Sequence, residues 1–144
     1  MQKVDFFWDP ICPFAWVTSR WLTQVQPRLG LDVDWRFLCL RFLNEGKDYE
    51  RDFPPGYLDL HTKGLRLLRV AAAVREAEGR GAMGALYTTI GTSIWDRDPA
   101  PDEDRMAPVA TPAHLRAVLH AAGLAGSFAD AADRDDLDDV LREE

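Results

Sequence analysis

Cysteine is scarce in this sequence: Cys12 and Cys39 are the only two among 144 residues. A small disulfide-stapled fold needs several pairs, so no such framework is implied. Long apolar runs are missing as well. No stretch approaches the ~18 residues that a membrane-spanning helix requires. Asp5 and Asp9 interrupt the apolar segment near the start, so no secretory leader is expected and a cytoplasmic location is the default. Positive charge is in deficit, with 17 Lys and Arg against 24 Asp and Glu for a net charge of −7. That balance argues against a nucleic-acid partner, where phosphate contacts need clustered cations, and against an anionic membrane surface. The sequence has no glycine-rich phosphate loop, no Ser/His/Asp signature, no repeat and no low-complexity tract. His61, His114 and His120 show no metal-ligand spacing with one another or with either cysteine, so no metal is expected and packing or surface roles are.

What the chain does have is a globular composition, 47% apolar and 10% aromatic, at a length able to bury a core. Val4 to Trp8 is apolar enough to read as a strand covered on both faces. Asp9-Pro10-Ile11 breaks it. Phe14 to Val25 then reads as a helix, with Pro13 in the first turn, where its missing amide costs no intrahelical bond. Pro27 and Gly30 are expected to end it. Leu31 to Leu40 mostly alternates apolar and polar residues, the pattern of a second strand. Strand, helix, strand makes an α/β fold with a βαβ unit and parallel strands.

From Tyr57 onward only helices are expected. Tyr57 to Glu78 is one, stopped by Gly79. Ala82 to Trp95 is another, weakened by Gly84 and Gly91. A proline-containing loop, Asp96 to Ala110, leads to Thr111 as an N-cap and a helix running to Ala122, ahead of Gly123. Ser127 to Ala132 and Asp135 to Arg142 are short pieces. Residues 130–144 hold eight acids and two arginines and read as a solvated helix face. The chain thus divides into an N-terminal βαβ part, 1–48, and a helical part, 49–144. Two parallel strands make a poor sheet alone, because such strands sit inside larger sheets and open edges invite pairing. Completion is expected from a longer chain, a partner segment, or a second copy in a homodimer.

Cys12 carries the candidate chemistry. It follows a strand and opens a helix, where amides lack intrahelical acceptors and about half a positive charge gathers. A thiol placed there is favoured as thiolate, the nucleophilic form. The alternative is a small buried hydrophobe. Cys39 shares strand phase with Leu31, Val33, Trp35 and Phe37 and should point into the core. Asp9, three residues before Cys12, either accepts a proton or caps the turn. Trp16 and Trp21 are expected in the core. Phe14 is expected at the surface, as an apolar platform.

The segment Phe6-Phe7-Trp8-Asp9-Pro10-Ile11-Cys12-Pro13-Phe14-Ala15-Trp16-Val17-Thr18-Ser19-Arg20-Trp21 resembles the active-site segment of actinobacterial DsbA-family thiol–disulfide proteins. It looks nearest to the mycothiol-dependent nitroreductase type, whose pattern is Asp-Pro-x-Cys-Pro-Trp-Cys followed by Trp-x-Thr-Ser-Arg-Trp. Leu43-Asn44-Glu45, Leu86-Tyr87-Thr88 and Gly91-Thr92 support the likeness. The resemblance implies a thioredoxin-like, DsbA-type fold with a helical insertion domain, whose C-terminal strands and final helix are missing from these residues. It implies a thiol-dependent oxidoreductase in which Cys12 is the catalytic nucleophile, forming a mixed disulfide or conjugate with a low-molecular-weight thiol such as mycothiol. That thiol is a co-substrate, no cofactor is held, and electrophilic or nitro compounds are the other partner. Pro13, Phe14, Asp9 and Trp16 are the implied substrate-binding residues. The sequence departs from the pattern twice. Ala15 stands where the resolving cysteine belongs, and Trp95 where a histidine often sits. Both keep open a catalytically inactive DsbA-like binding protein, and an S-transferase or isomerase of the same fold.

Overall fold

A computed structural model describes all of residues 1–144. β1 (Lys3–Trp8) and β2 (Asp32–Phe37) lie side by side in parallel, linked through α1 (Pro13–Leu29). The register sets Phe6 beside Trp35 and Trp8 beside Phe37. Because strand side chains alternate, these four rings share one face, and they meet edge-on at 5.1 and 5.5 Å between centroids. That face is the floor of the core. The opposite face sets Lys3, Asp5 and Phe7 beside Asp32, Asp34 and Arg36, and it is largely open. The strand expected to be covered on both faces is therefore covered on one. Its partner supplies the reason: β2 alternates, and Phe7 is shielded by the Arg36 guanidinium, 5.0 Å from its ring, instead of a second layer.

Helix α1 continues past Val25 to Leu29 with Pro27 inside it. A proline in the last turn forfeits one amide bond without ending the helix. The stop comes from Gly30, whose φ of 62° is left-handed and whose amide returns to the Gln26 carbonyl. The buried side of α1 is Trp16, Ser19 and Leu22. Trp21, expected in the core, is 61% exposed. It lies three and seven residues from Thr18 and Phe14, on the outward stripe, whereas Trp16 faces inward.

Two one-turn helices follow β2, α2 (Leu40–Leu43) and α3 (Tyr49–Asp52), both too short to show a period in the sequence. The long central helix α4 (Tyr57–Glu78) has the limits its pattern predicts. After it come α5 (Met83–Trp95), α6 (Pro112–Ala121), 3₁₀ turns at Gly126–Asp133 and Asp135–Leu137, and α7 (Asp138–Arg142). Gly84 and Gly91 do not merely weaken α5. A Cβ at 84 would come 2.7 Å from Trp35 Nε1, and one at 91 would overlap the Trp16 ring. The bare backbone at these two points is where the tryptophans of β2 and α1 seat.

The acidic run has the expected solvated face, with Asp130, Asp135, Asp136, Asp139 and Glu143 exposed, and also a docked one. Ala131, Ala132, Leu137 and Leu141 are buried, and three of its carboxylates meet arginines projecting from α4. Arg69 donates to both oxygens of Asp138 at 2.7 and 2.9 Å. Arg66 pairs with Asp133, and Arg75 donates to Glu144 at 2.5 Å. One hydrophobic cluster of 28 residues runs from Trp8 to Leu141. The core therefore crosses the expected 48/49 boundary undivided. The architecture is mixed α/β, mostly helical, with a two-stranded parallel sheet.

Candidate functional site

Three residues, Asp9, Pro10 and Ile11, separate β1 from Cys12, and the loop is pinned at several points. The Cys12 amide donates to the Asp9 carbonyl at 3.0 Å. Asp9 Oδ1 accepts from the Ile11 amide at 3.1 Å, and Oδ2 from the Leu40 amide, the first of α2, at 2.9 Å. Trp95 Nε1 on α5 donates to the Pro10 carbonyl at 3.0 Å. Trp95 thus serves here as an anchor of the thiol loop.

Cys12 is the N-cap of α1, with extended backbone, and its Sγ accepts from the Ala15 amide at 3.5 Å. No acidic residue occupies the first turn. The residue is half-buried, and the Ala15 bond shows its sulfur aimed at the helix amides. A long helix, a free amide on the sulfur and access from solvent form the arrangement thiol nucleophiles use.

The expected substrate-binding residues separate into two pairs. Pro13 is exposed and Phe14 is 81% exposed, in the first turn of the helix that Cys12 caps. Asp9 and Trp16 are 1% and 6% exposed and cannot present side chains to a ligand. Both Asp9 oxygens are taken by amides, and Trp16 is wedged against Gly91 and the edge of Tyr87, 5.7 Å away. These two support the loop from behind.

Also behind it lie residues that sequence reasoning did not assign to the site. Tyr87 is fully buried and stacks on Trp8 at 4.4 Å. Ser19 Oγ donates to the Trp16 carbonyl at 2.6 Å and accepts from Arg20 Nε at 3.1 Å, while the Arg20 guanidinium covers the Trp16 ring at 4.0 Å. Tyr87 Oη and Arg20 Nη2 are buried without a hydrogen-bond partner, an uncommon state for strong donors. Burial pushes the Tyr87 phenol up, and the charge of Cys12 acts in the same direction. The available signal was Ser19 on the Trp16–Leu22 face, a hydroxyl pointing inward.

Cys39 is 4% exposed, and burial pushes its thiol up to about 11. Both cysteines are free. Burial also pushes the Asp9 carboxyl up to about 7, against the opposing effect of the Leu40 and Ile11 amides. His61 is enclosed by the rings of Tyr49, Phe53 and Tyr57, with Nδ1 2.7 Å from Tyr49 Oη. His114 meets Ser93 Oγ at 2.8 Å and the Ala110 amide at 3.0 Å. His120 is exposed on α6. Each histidine therefore has a packing or surface role. No helix is long and apolar enough to cross a membrane.

Residues 11–144 match the family described as Rv2466c-like, mycothiol-dependent nitroreductase Rv2466c. The chain belongs to that family. The match takes in Cys12 and every helix packed behind it, and it agrees with the actinobacterial, DsbA-like type that the Cys12 motif resembles. An uncharacterized protein of Mycobacterium tuberculosis, Rv2286c, is 32% identical over 136 residues, which is 92% of this chain and 52% of that protein. The chain spans about half the length of the curated relative it matches.

Proposed function

We propose that this Rv2466c-like chain carries the reactive thiol of a thiol-dependent oxidoreductase, with Cys12 as nucleophile and a low-molecular-weight thiol of the mycothiol kind as co-substrate. The observation that carries the reading is Cys12, half-buried at the start of α1, with the Ala15 amide donating to its sulfur. In the exchange step the Cys12 thiolate attacks one sulfur of a small disulfide, RSSR. The S–S bond breaks, a Cys12–S–S–R bond forms, and RS⁻ leaves and takes up a proton. A second RSH, as thiolate, then attacks the mixed disulfide, releasing RSSR and restoring Cys12. External resolution of this kind needs no second cysteine, so Ala15 does not block it. That exchange alone is redox-neutral. In turnover the Cys12 thiol and one RSH together give two electrons and two protons to a nitro compound, ArNO₂, leaving ArNO, water and the Cys12–S–S–R bond. The second RSH then releases RSSR, so that overall two RSH and ArNO₂ give RSSR, ArNO and water. Tests for this chemistry belong in a reducing, cytoplasmic setting, where the thiol pool keeps Cys12 free.

In the same reading the open face of the sheet and its two strand edges are where the remaining strands of a thioredoxin-like fold dock. Phe7 and Arg36 on that face are the residues they would cover. They come from the longer polypeptide of the family or from a second copy. The helices of 49–144 are the insertion, sharing one core with the βαβ part.

A second reading, a binding protein that kept the fold and lost turnover, is favoured by Ala15 and by Trp95, whose indole is committed to the Pro10 carbonyl. Intact-mass analysis after incubation with oxidised mycothiol separates the two. We expect a single adduct on Cys12, absent in Cys12→Ser and released by reduced mycothiol, followed by thiol-dependent consumption of a nitroaromatic probe. No adduct on Cys12 rejects the nucleophile. An adduct that forms and releases without consumption of the probe favours the binding protein.

A further inference from the structure

Among the buried polar groups, Asp9 is the one that reaches the thiol loop and two other elements together. Its oxygens accept from Ile11 within the loop and from Leu40 at the start of α2. On the third side Gly64 of α4 closes over it: a Cβ at 64 would come 2.5 Å from Asp9 Oδ1 and 2.8 Å from Ile11 Cγ1. The side chain is 1% exposed, and no cation is among the groups that act on it. A buried carboxyl without a cationic partner is costly. Asparagine would avoid that cost, but its amide nitrogen would face a backbone N–H and leave one tie unmade. The arrangement is what two acceptor oxygens on one short side chain can provide and an amide cannot.

We propose that Asp9 is a positioning residue for Cys12: its carboxylate ties the thiol loop to α2 beneath the Gly64 backbone of α4, and Cys12 reacts at full rate only while that tie holds. The inference rests on the reading of Cys12 as the reactive thiol. It also makes the loop sensitive to pH. The ionisable groups that feel Asp9 are Cys39 before α2, Tyr49 on α3 and Tyr87 on α5, and burial pushes each of them up. His61, one turn before Gly64 on α4, is pushed down by burial and by Arg41 of α2. All four are neutral near pH ~7. Asp9 differs from all four, because burial moves its carboxyl from 3.8 to about 7 and so into that range. The folded chain holds that proton more tightly than the unfolded chain does. Its contribution to stability is therefore present at low pH, falls as pH rises from about 4 to about 7, and is constant above. Acidification through this window thus favours the fold while weakening the Leu40 tie, so stability and thiol reactivity move in opposite directions. A residue that merely capped the turn would leave the high-pH plateau rate of the Cys12 thiolate unchanged when replaced.

The test follows alkylation of Cys12 by iodoacetamide across pH, with the labelled site mapped by mass spectrometry, in the unmodified chain, Asp9→Asn and Gly64→Ala. Gly64→Ala displaces the carboxylate without altering charge. We expect the high-pH plateau rate to fall by about 10-fold in both variants, as a displaced reacting group does, and a step near pH 7 to be present in the unmodified chain and absent from Asp9→Asn. A plateau unchanged in both variants, with only the midpoint moved in Asp9→Asn, reduces Asp9 to a nearby charge and overturns the proposal. Should neither variant fold, NMR of the unmodified chain decides. The Ile11, Leu40 and Cys12 amide resonances titrate together with the Asp9 carboxyl if the tie exists, and a Cys12 amide indifferent to that titration overturns it. An unmodified Cys12 that fails to label refutes the nucleophile, and this inference with it. That outcome is recognisable before any variant is made.

Discussion

Cys12 and Cys39 occupy the same place in two successive units. Each follows a strand of the parallel pair and each is the N-cap of the next helix, with φ and ψ of −90° and 111° at Cys12 and −83° and 107° at Cys39. Their chemistry differs. α1 has 17 residues and α2 has four, so few aligned peptide dipoles stand behind the second thiol. Cys12 Sγ takes an amide, whereas Cys39 makes no cap bond. Burial pushes the Cys39 thiol up, against the opposing effect of the Phe42 and Arg41 amides, and the charge of Asp9, which accepts from the Leu40 amide, adds to the rise. A cysteine at a helix start is therefore not reactive by position. Helix length and access decide.

The largest expected effect is in labelling. With its thiol near 11, Cys39 is ~0.1% ionised at pH ~8, and it is sealed from solvent. In the native protein iodoacetamide should modify Cys12 at least ~100-fold faster than Cys39, with Cys39 reacting only after denaturation. Peptide mapping of a timed alkylation reads both sites in one sample. Rates within a few-fold of each other would erase the distinction.

How far the sequence exposed this site depends on the range of the interaction. Cys12 before Pro13, the limits of α4 and the Thr111 cap of α6 are local features, and local pattern carried them. Phe14 as an exposed platform was legible for the same reason. Trp21 is aromatic but lies on the outward stripe it shares with Phe14, so its residue type alone points to the core and its helical phase to solvent. Pro27 was read as a stop although the final turn can lose one bond. Asp9 and Trp16 looked like contact residues from their nearness to Cys12 in the chain. Only the packing of α4 and α5 shows them capped by Gly64 and Gly91, and those glycines gave no sign of what they receive. The acidic run needed Arg66, Arg69 and Arg75, more than sixty residues away in sequence, before it could be seen as docked.

Serine substitution sharpens the comparison because it should act with opposite sign at the two thiols. Cys39 is surrounded by core, including Phe37 and Leu141, and a hydroxyl there gains a desolvation penalty that sulfur does not carry. Cys39→Ser should lower unfolding free energy by about 1–3 kcal/mol, read from denaturant midpoints, with the Cys12 labelling rate unchanged. A midpoint equal to that of the unmodified chain would show that the second thiol has a polar partner or water after all.

At Cys12 the same change should be mild. Serine is among the best N-cap residues, and its oxygen approaches an amide more closely than sulfur's 3.5 Å to Ala15 allows. The site is partly exposed, so no burial penalty offsets the better cap. Cys12→Ser should abolish labelling while leaving stability unchanged or raised by up to about 0.5 kcal/mol, measured by the same denaturant titration. The sign is informative because sulfur is the poorer cap: a chain that retains it there gives up helix stability for a thiol. A loss beyond about 1 kcal/mol would instead mean that the sulfur is held for its packing, which is how Cys39 behaves. The two cysteines would then differ in exposure alone.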